Sequence, residues 1–569
     1  MGYAYCDNKL LKYDEACLTV NNFQTNIIKL SNVSLECYEC LPQLFQHIVP
    51  TSSKSIIYST RHPTVFSLIG KNINFNTIFT FEQHGHYGLN VSKNVDYYVI
   101  TPPPENVYKP LWSAGILLLV IFLLYVIGAC KSFYSRLYSM IVRPSVIIRD
   151  AENDLGVSRM FDSTPLISTS SIPESSNRRN ASVDTFRGIT IVLMLFVNYG
   201  GGKYWIFQHA EWNGMTIADL IFPWFAWIMG VSIVLSISSQ LRRTVPRSAI
   251  FSKVLLRSLL LIVIGLALNS FNNNNVNKLR FPGVLQRLGL SYFIVASLET
   301  MFLQAQNYNL TSRLSHINDI INGWVQWVFI MTLVGIHSYI TFNVEVPNCP
   351  KGYLGPGGLH DNKIAMNCTG GVAGYIDRML FGTQHLYQHP TLAKVYFTHQ
   401  PFDPEGLLGT LNMAFTVFLG TIAGKILLYF GNQITGPPVR WMALSALCGS
   451  FALILSNASK EGGVIPINKN LWSLSFVFAT SCLAFFTLCI LYMIVDYFKN
   501  WNGSPFIQAG KNSILLYIGS EVTKRSIPWN WTPISMLDHS AILYMNIWST
   551  ALWILIAIFL NNNNIYLTI

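Results

Sequence analysis

The sequence predicts a polytopic α-helical membrane protein of about 11 transmembrane helices with a small β-rich N-terminal lumenal domain. Three observations predict it. Of the 569 residues, 51% are hydrophobic and 11% charged, whereas soluble domains carry roughly a quarter charged residues. About eleven stretches approach the roughly 20 apolar residues that a helix needs to cross a bilayer. Residues 1–109 lack such runs and alternate apolar with polar positions instead.

In chain order, the alternation in Ser55-Ile-Ile-Tyr-Ser and Asp96-Tyr-Tyr-Val-Ile-Thr, with Pro102-Pro-Pro closing the region, predicts a β-rich outer domain over 1–109. An outer N-terminus normally needs a signal peptide, and Met1 to Val20 has neither a basic nor an apolar leader region, so the start is expected to be truncated or misannotated. A first transmembrane helix occupies 110–130. Residues 131–185, with Ser168-Thr-Ser-Ser-Ile-Pro-Glu-Ser-Ser, cannot bury enough apolar surface to fold and read as a disordered cytosolic linker. The bundle then runs over 186–560. Clear spans are 216–238, 250–270, 282–303, 323–342, 406–430, 440–456, 470–496 and 541–560, while 186–200 and 505–521 are shorter or more polar. A polar loop, 344–404, carries His360, His385, His389 and His399.

The net charge of +11 sits at span ends rather than in a stripe, which argues against nucleic acid as a partner. Lys131, Arg136 and Arg143 after the first span, and Arg242, Arg243 and Arg247 after the third, place those loops in the cytosol. The N-terminus is then lumenal and the C-terminus cytosolic. Glycosylation sequons at Asn32, Asn90, Asn367, Asn457 and Asn530 fall outside on this topology, and Asn180, Asn309 and Asn502 inside. Six cysteines (Cys6, Cys17, Cys37, Cys40, Cys349, Cys368) lie in outer segments, where disulfides persist. Cys37 and Cys40 read as a structural disulfide, since no second pair or histidine at finger spacing supports zinc. Gly420-Thr-Ile-Ala-Gly424-Lys425 resembles half a phosphate loop, but two glycines four apart in a span are better read as close helix packing.

The densest polar stretch near the membrane runs from Phe186 to Asp219. On the assigned topology Asn198 lies toward the outer end of one helix, His209 in a short outer connection and Asp219 in the first turns of the next. An ordinary imidazole accepts a proton near neutrality, and an amide can orient it or hold a developing oxyanion, so this trio suits acyl transfer. The plainer reading is an interfacial histidine among the belt aromatics Tyr204, Trp205 and Trp212.

The same stretch resembles the heparan-α-glucosaminide N-acetyltransferase family. The resemblance rests on Val183-Asp-Thr-Phe-Arg-Gly, Phe196-Val-Asn-Tyr-Gly-Gly-Gly-Lys-Tyr-Trp, Trp212-Asn-Gly and Ala218-Asp-Leu-Ile-Phe-Pro-Trp-Phe. Further blocks are Phe281-Pro-Gly-Val-Leu-Gln-Arg287-Leu-Gly, Gly352-Tyr-Leu-Gly-Pro-Gly-Gly, Gly374-Tyr-Ile-Asp-Arg378 and Asp403-Pro-Glu-Gly. It implies an acetyl-CoA-dependent enzyme of the lysosomal membrane that carries acetyl to the terminal glucosamine amine of heparan sulfate. The family's catalytic histidine and asparagine fall on His209 and Asn198, and Asp219, Trp212 and Asn213 are assigned to the acceptor.

No soluble phosphate loop is visible, so the bundle must bind the co-substrate acetyl-CoA, and no metal is invoked. Intramembrane Arg287, and Lys511 with Asn512, are the candidate contacts for its phosphates or pantetheine, the alternative being ion pairs or snorkelling side chains. Asp162-Ser-Thr-Pro-Leu166-Ile167 in the linker reads as an acidic dileucine signal for sorting adaptors, and a homodimer is allowed. The competing function is a secondary transporter of a sugar or organic anion on the same fold, which the want of an internal repeat weakens.

Overall fold

The computed structural model describes residues 5–7, 9–71, 73–103, 106–121, 123–124, 180–271, 275–303, 323–431, 436–533 and 538–567. Residues 125–179, which include Cys130, most of the expected linker and its dileucine signal, lie outside the described residues. Glu105–Arg179 is a compact unit by itself; its described part is the apolar helix α1, Lys109–Ile121.

Among its described residues the N-terminal region contains ten strands: β1 Tyr5–Cys6, β2 Lys9–Leu10, β3 Glu15–Asn22, β4 Ile28–Ser34, β5 Gln43–Ile48, β6 Ser52–Ser59, β7 Thr64–Ile69, β8 Asn74–Phe79, β9 His86–Val91 and β10 Val95–Thr101. Two four-stranded sheets, ordered β10-β9-β3-β6 and β5-β4-β7-β8, form the layers. Alternate residues of both, among them Leu18, Val20, Leu30, Phe66, Leu68 and Leu89, meet in one core, as period-two patterning requires of a sandwich. Disulfides join Cys6 to Cys17, Cys37 to Cys40 and Cys349 to Cys368. All six cysteines assigned to outer segments are thus paired, and Cys37–Cys40 is a disulfide, as expected.

The helices that follow are α2 Ala181–Tyr199, α3 Ile217–Arg242, α4 Arg247–Ser270, α5 Val284–Phe302, α6 Trp324–Asn343, α7 Gly371–Phe381, α8 Leu407–Phe430, α9 Gly436–Ser456, α10 Leu474–Leu491, α11 Phe506–Lys511, α12 Ser513–Thr523 and α13 His539–Asn562. Among the described residues eight helices are long and apolar enough to cross a membrane: α2, α3, α4, α6, α8, α9, α10 with its extension to Tyr497, and α13. That is fewer than the expected eleven. α5 buries Arg287 and Glu299 and falls outside the eight, and the expected span at 505–521 is two short helices, α11 and α12, parted at Asn512. α2 begins at Ala181, inside the stretch assigned to the linker, because its polar first turns pack within the protein, with Ser182 N donating to Asp496 Oδ2 at 3.1 Å.

α8 is the axis of the bundle, with 89% of its most apolar window buried, against 22% for α6 and 28% for α4 and α9. It packs backbone to backbone on α3. A Cβ at Gly420 would lie 1.9 Å from Trp227 O, and one at Gly230 would lie 2.0 Å from Val417 O. The Gly420/Gly424 pair is therefore packing, as expected. Deep in the bundle Lys425 pairs with Glu299 at 2.8 Å and donates to Gln326 Oε1 at 2.5 Å.

Alternate connections gather at one end, under the sandwich. Arg61 pairs with Glu211 at 3.2 Å, Lys363 donates to Gln43 at 2.9 Å, Tyr396 donates to the Glu36 carbonyl at 3.2 Å, Lys460 pairs with Glu36 and His539 meets Asp14 at 2.9 Å. The 271–283 connection joins them through Arg280, whose Nε and Nη2 grip Asp403 at 2.7 and 2.6 Å.

Candidate active site at the sandwich end of the bundle

Three glycines end α2. Gly200, Gly201 and Gly202 have φ of 126°, 57° and 65°, followed by Lys203 at 63°, a run of left-handed backbone that glycine adopts without a Cβ clash. The turn is pinned from α13: Asn546 Nδ2 donates to Tyr199 O at 2.6 Å while Asn546 Oδ1 accepts from Gly202 N at 3.1 Å. The chain then crosses to α3 through the segment that carries His209.

Asp219, third residue of α3, organises that segment. Its Oδ2 accepts from Ala210 N at 3.0 Å and Thr216 N at 3.1 Å, half of a capping box that satisfies backbone donors at the helix start. Its Oδ1 lies 2.8 Å from His209 Nδ1. An ionised carboxylate can only accept, so this hydrogen bond is donated by Nδ1–H. The Asp219 side chain is 1% exposed and that of His209 is 42% exposed: a buried carboxylate holds an accessible imidazole. Lys469 reaches the same place from the α9–α10 connection, its Nζ 3.3 Å from Asp219 Oδ1 and 2.9 Å from His209 Nδ1.

The other expected site residues do not all join this centre. Asn198 Nδ2 donates to Glu521 Oε1 of α12 at 3.0 Å, and among the described residues no hydrogen bond links it to His209. Trp212 is buried, donates to Leu354 O at 3.0 Å and packs edge-on to Phe402. Asn213 donates to Glu461 and accepts from Asn468 at 2.9 Å. Both fasten the loop to its neighbours. Arg287 stands at the sandwich end, donating to Pro404 O at 2.8 Å with its guanidinium 4.4 Å over the Trp472 ring. Lys511 and Asn512 stand at the opposite end of the helices, against the last residues of α13 and beyond, where Lys511 donates to Asn561 at 3.0 Å and Asn512 to Ile565 O at 3.0 Å.

Sequence reasoning missed Lys469, Glu521 and Glu405. Lys469 was visible only as a polar Asn468-Lys469-Asn470 cluster abutting a span. Glu405 lies against Arg280 at 2.5 Å; burial pushes its carboxyl up, but Arg280, Lys469 and Arg287 more than offset this and hold it below the usual carboxylate range. Glu211, two residues from His209, is pushed up by burial despite its Arg61 partner. A partly open recess lies beside this region, lined by His337, Tyr353, Asn468 and Ser473 among others. None of the expected site residues lines it, so the hydrogen-bond geometry around His209, and not this recess, defines the site.

A bundle of apolar helices long enough to cross a membrane, with a β-sandwich at the end where an accessible imidazole meets a buried carboxylate, defines a polytopic helical membrane protein. No family model matches the chain. The chain is similar to two proteins named heparan-alpha-glucosaminide N-acetyltransferase. It is 48% identical to the Mus musculus protein over 398 residues, 69% of this chain and 61% of that one, and 48% identical to the Homo sapiens protein over 394 residues, 68% and 59% respectively. It thus matches about three fifths of the length of these curated relatives.

Proposed function

We propose that the chain is an acetyl-CoA-dependent N-acetyltransferase acting on the terminal glucosamine amine of heparan sulfate, with His209 as the reacting base or nucleophile. The observation that carries the reading is an accessible imidazole whose Nδ1 lies 2.8 Å from the buried Asp219 carboxylate, in a chain 48% identical to that acetyltransferase. In the covalent route Nε2 attacks the thioester carbonyl, the C–S bond breaks, and the CoA thiolate leaves and is protonated; the amine then displaces imidazole, forming the amide and shedding its proton. In the direct route Nε2 takes the proton that the attacking amine must lose.

The sandwich end is lumenal in this proposal, with α1, α5 and the α11–α12 pair completing eleven crossings and Arg242, Arg243 and Arg247 on the cytosolic side. Acetyl-CoA, a polyanion that cannot cross lipid, then enters from the end where Lys511 and Asn512 stand, and its thioester reaches inward toward His209. Arg287 contributes at the lumenal end, beside the acceptor. Adaptors reading Asp162, Leu166 and Ile167 deliver the protein to the lysosome, so replacing Leu166 and Ile167 with Ala should leave it at the cell surface.

The test is acetyl transfer from acetyl-CoA to glucosamine by full-length protein in liposomes. His209→Ala should abolish turnover while the protein stays folded, because a half-exposed imidazole leaves no core cavity behind. Near-normal turnover in folded His209→Ala protein rejects the site, and transport of acceptor without acetylation by the unaltered protein favours the transporter instead.

A further inference from the structure

We infer that Lys469 is a positioning residue for His209: its ammonium lies over the imidazole face, balances the Asp219 carboxylate and so keeps the ring neutral with the lone pair on Nε2. The inference rests on the N-acetyltransferase reading for its purpose, though not for its test.

The geometry carries it. Lys469 Nζ is 2.9 Å from His209 Nδ1 and 3.4 Å from Nε2. An atom in the ring plane on the outward axis of Nδ1 would be much farther from Nε2 than from Nδ1, so these near-equal distances place the ammonium over the ring face. The in-plane direction at Nδ1 is already taken by Asp219 Oδ1 at 2.8 Å. Asp219 therefore receives the imidazole in its plane and the ammonium from above, on the same oxygen, 3.3 Å from Nζ. A cation over the face of a neutral ring is attracted or tolerated, whereas over an imidazolium it is repelled.

Lys469 is held there by its backbone. The side chain is 14% exposed; Trp472 N donates to Lys469 O at 3.0 Å, and the preceding Asn468, fully buried, accepts from Leu471 N at 2.9 Å. The remaining charges around the pair do not cancel it. Glu405, ahead of α8, faces Lys469 but is shared with Arg280 and Arg287. On the His209 segment itself Glu211 is taken by Arg61 and flanked by His62 from the sandwich. A carboxylate alone beside His209 would draw a proton onto the ring, and a protonated ring can serve neither as nucleophile nor as base. That failure would be worst in an acidic compartment, which gives the lysine its purpose.

Diethyl pyrocarbonate acylates only unprotonated imidazole, so its reaction with His209, read by mass spectrometry and normalised to free N-acetylhistidine, reports the neutral fraction at each pH without any turnover. In full-length protein in phosphatidylcholine nanodiscs, Lys469→Met and Lys469→Gln should each raise the labelling midpoint by about one pH unit, and Lys469→Arg should restore the wild-type curve. The acid limb of kcat/KM for acetyl transfer should move with the midpoint. Coincident labelling curves for wild type and either neutral variant, or a Lys469→Arg curve displaced with theirs, would overturn the inference. If the curves move as expected and wild-type protein transfers no acetyl group, the proposed function fails and the role of Lys469 stands.

Discussion

Asp219 divides its two oxygens between structure and chemistry. Oδ2 collects Ala210 N and Thr216 N at the start of α3, and Oδ1 faces His209 and Lys469. Asp219→Asn keeps the volume and can still accept one backbone proton, but it puts an amide where an anion held the imidazole tautomer. Turnover should therefore fall by roughly 10³- to 10⁴-fold, the scale of losing a tautomer-fixing carboxylate, while stability falls by only about 1 kcal/mol, the scale of a weakened cap. Turnover and thermal unfolding measured on the same preparation separate the two, and equal losses in both would mean that Asp219 is purely structural. The His209–Asp219 pair was legible because ten residues of chain, a helix start and a short loop bring them together. Asn198 with Glu521, 323 residues apart, and His209 with Lys469, 260 apart, were not, since no local periodicity records which connections share a membrane face.

Backbone contact between helices makes sharper demands than apolarity. α2 and α11 meet where a Cβ at Gly188 would fall 1.7 Å from Phe506 O and one at Gly510 1.9 Å from Asp184 O. Gly188→Ala must force the two helices apart and should cost about 1–3 kcal/mol or more. Gly335→Ala in α6 is the control, because a Cβ there meets nothing within 4 Å; it should be neutral or stabilising by up to about 1 kcal/mol from helix propensity. Unfolding of both variants in detergent checks the contrast, and equal stability would show that α2 and α11 do not pack this closely. The same distinction explains what the sequence made legible among the elements. Runs such as 216–238 and 541–560 appear as α3 and α13 because an uninterrupted apolar stretch has no other way to bury itself. The α11–α12 pair was harder, because Lys511 and Asn512 face protein rather than lipid, and hydropathy registers only the cost of a polar group and not its partner. The start of α2 at Ala181 was hidden for the same reason, as Ser182 and Asp184 are polar yet buried.

Across the whole molecule, ionisable groups concentrate where the connections meet the sandwich, so the folded state as a unit should respond to pH. Asp377 is the best isolated of them. Its side chain receives Leu407 N at 3.0 Å at the start of α8 and fills the place where a Cβ at Gly406 would stand. Burial, with the Asp403 charge adding to it, pushes its carboxyl up to about 7, although the Leu407 amide, Arg287 and Arg378 oppose the shift. A folded pKa above the unfolded value of about 4 means that between those values the folded protein holds a proton the unfolded chain has released. Its contribution to stability is then fully present at the acid end of that window and is lost as pH rises through about 7. Other groups pull both ways: Glu211 and Glu461 are raised by burial and act in the same sense, while burial lowers His62 and His360, which favour the folded state as pH rises. The total slope is therefore a poor test, and the difference between wild type and Asp377→Asn is a good one, since the amide matches the protonated acid in shape and cannot ionise. Thermal midpoints should differ little at or below about pH 4, and the variant should become progressively more stable than wild type as pH rises from about 4 to about 7, with the gap levelling off above that. A variant advantage that is flat with pH, or that is larger at acid pH than near neutral, would show that Asp377 is ionised throughout, with Arg287 and Arg378 outweighing its burial.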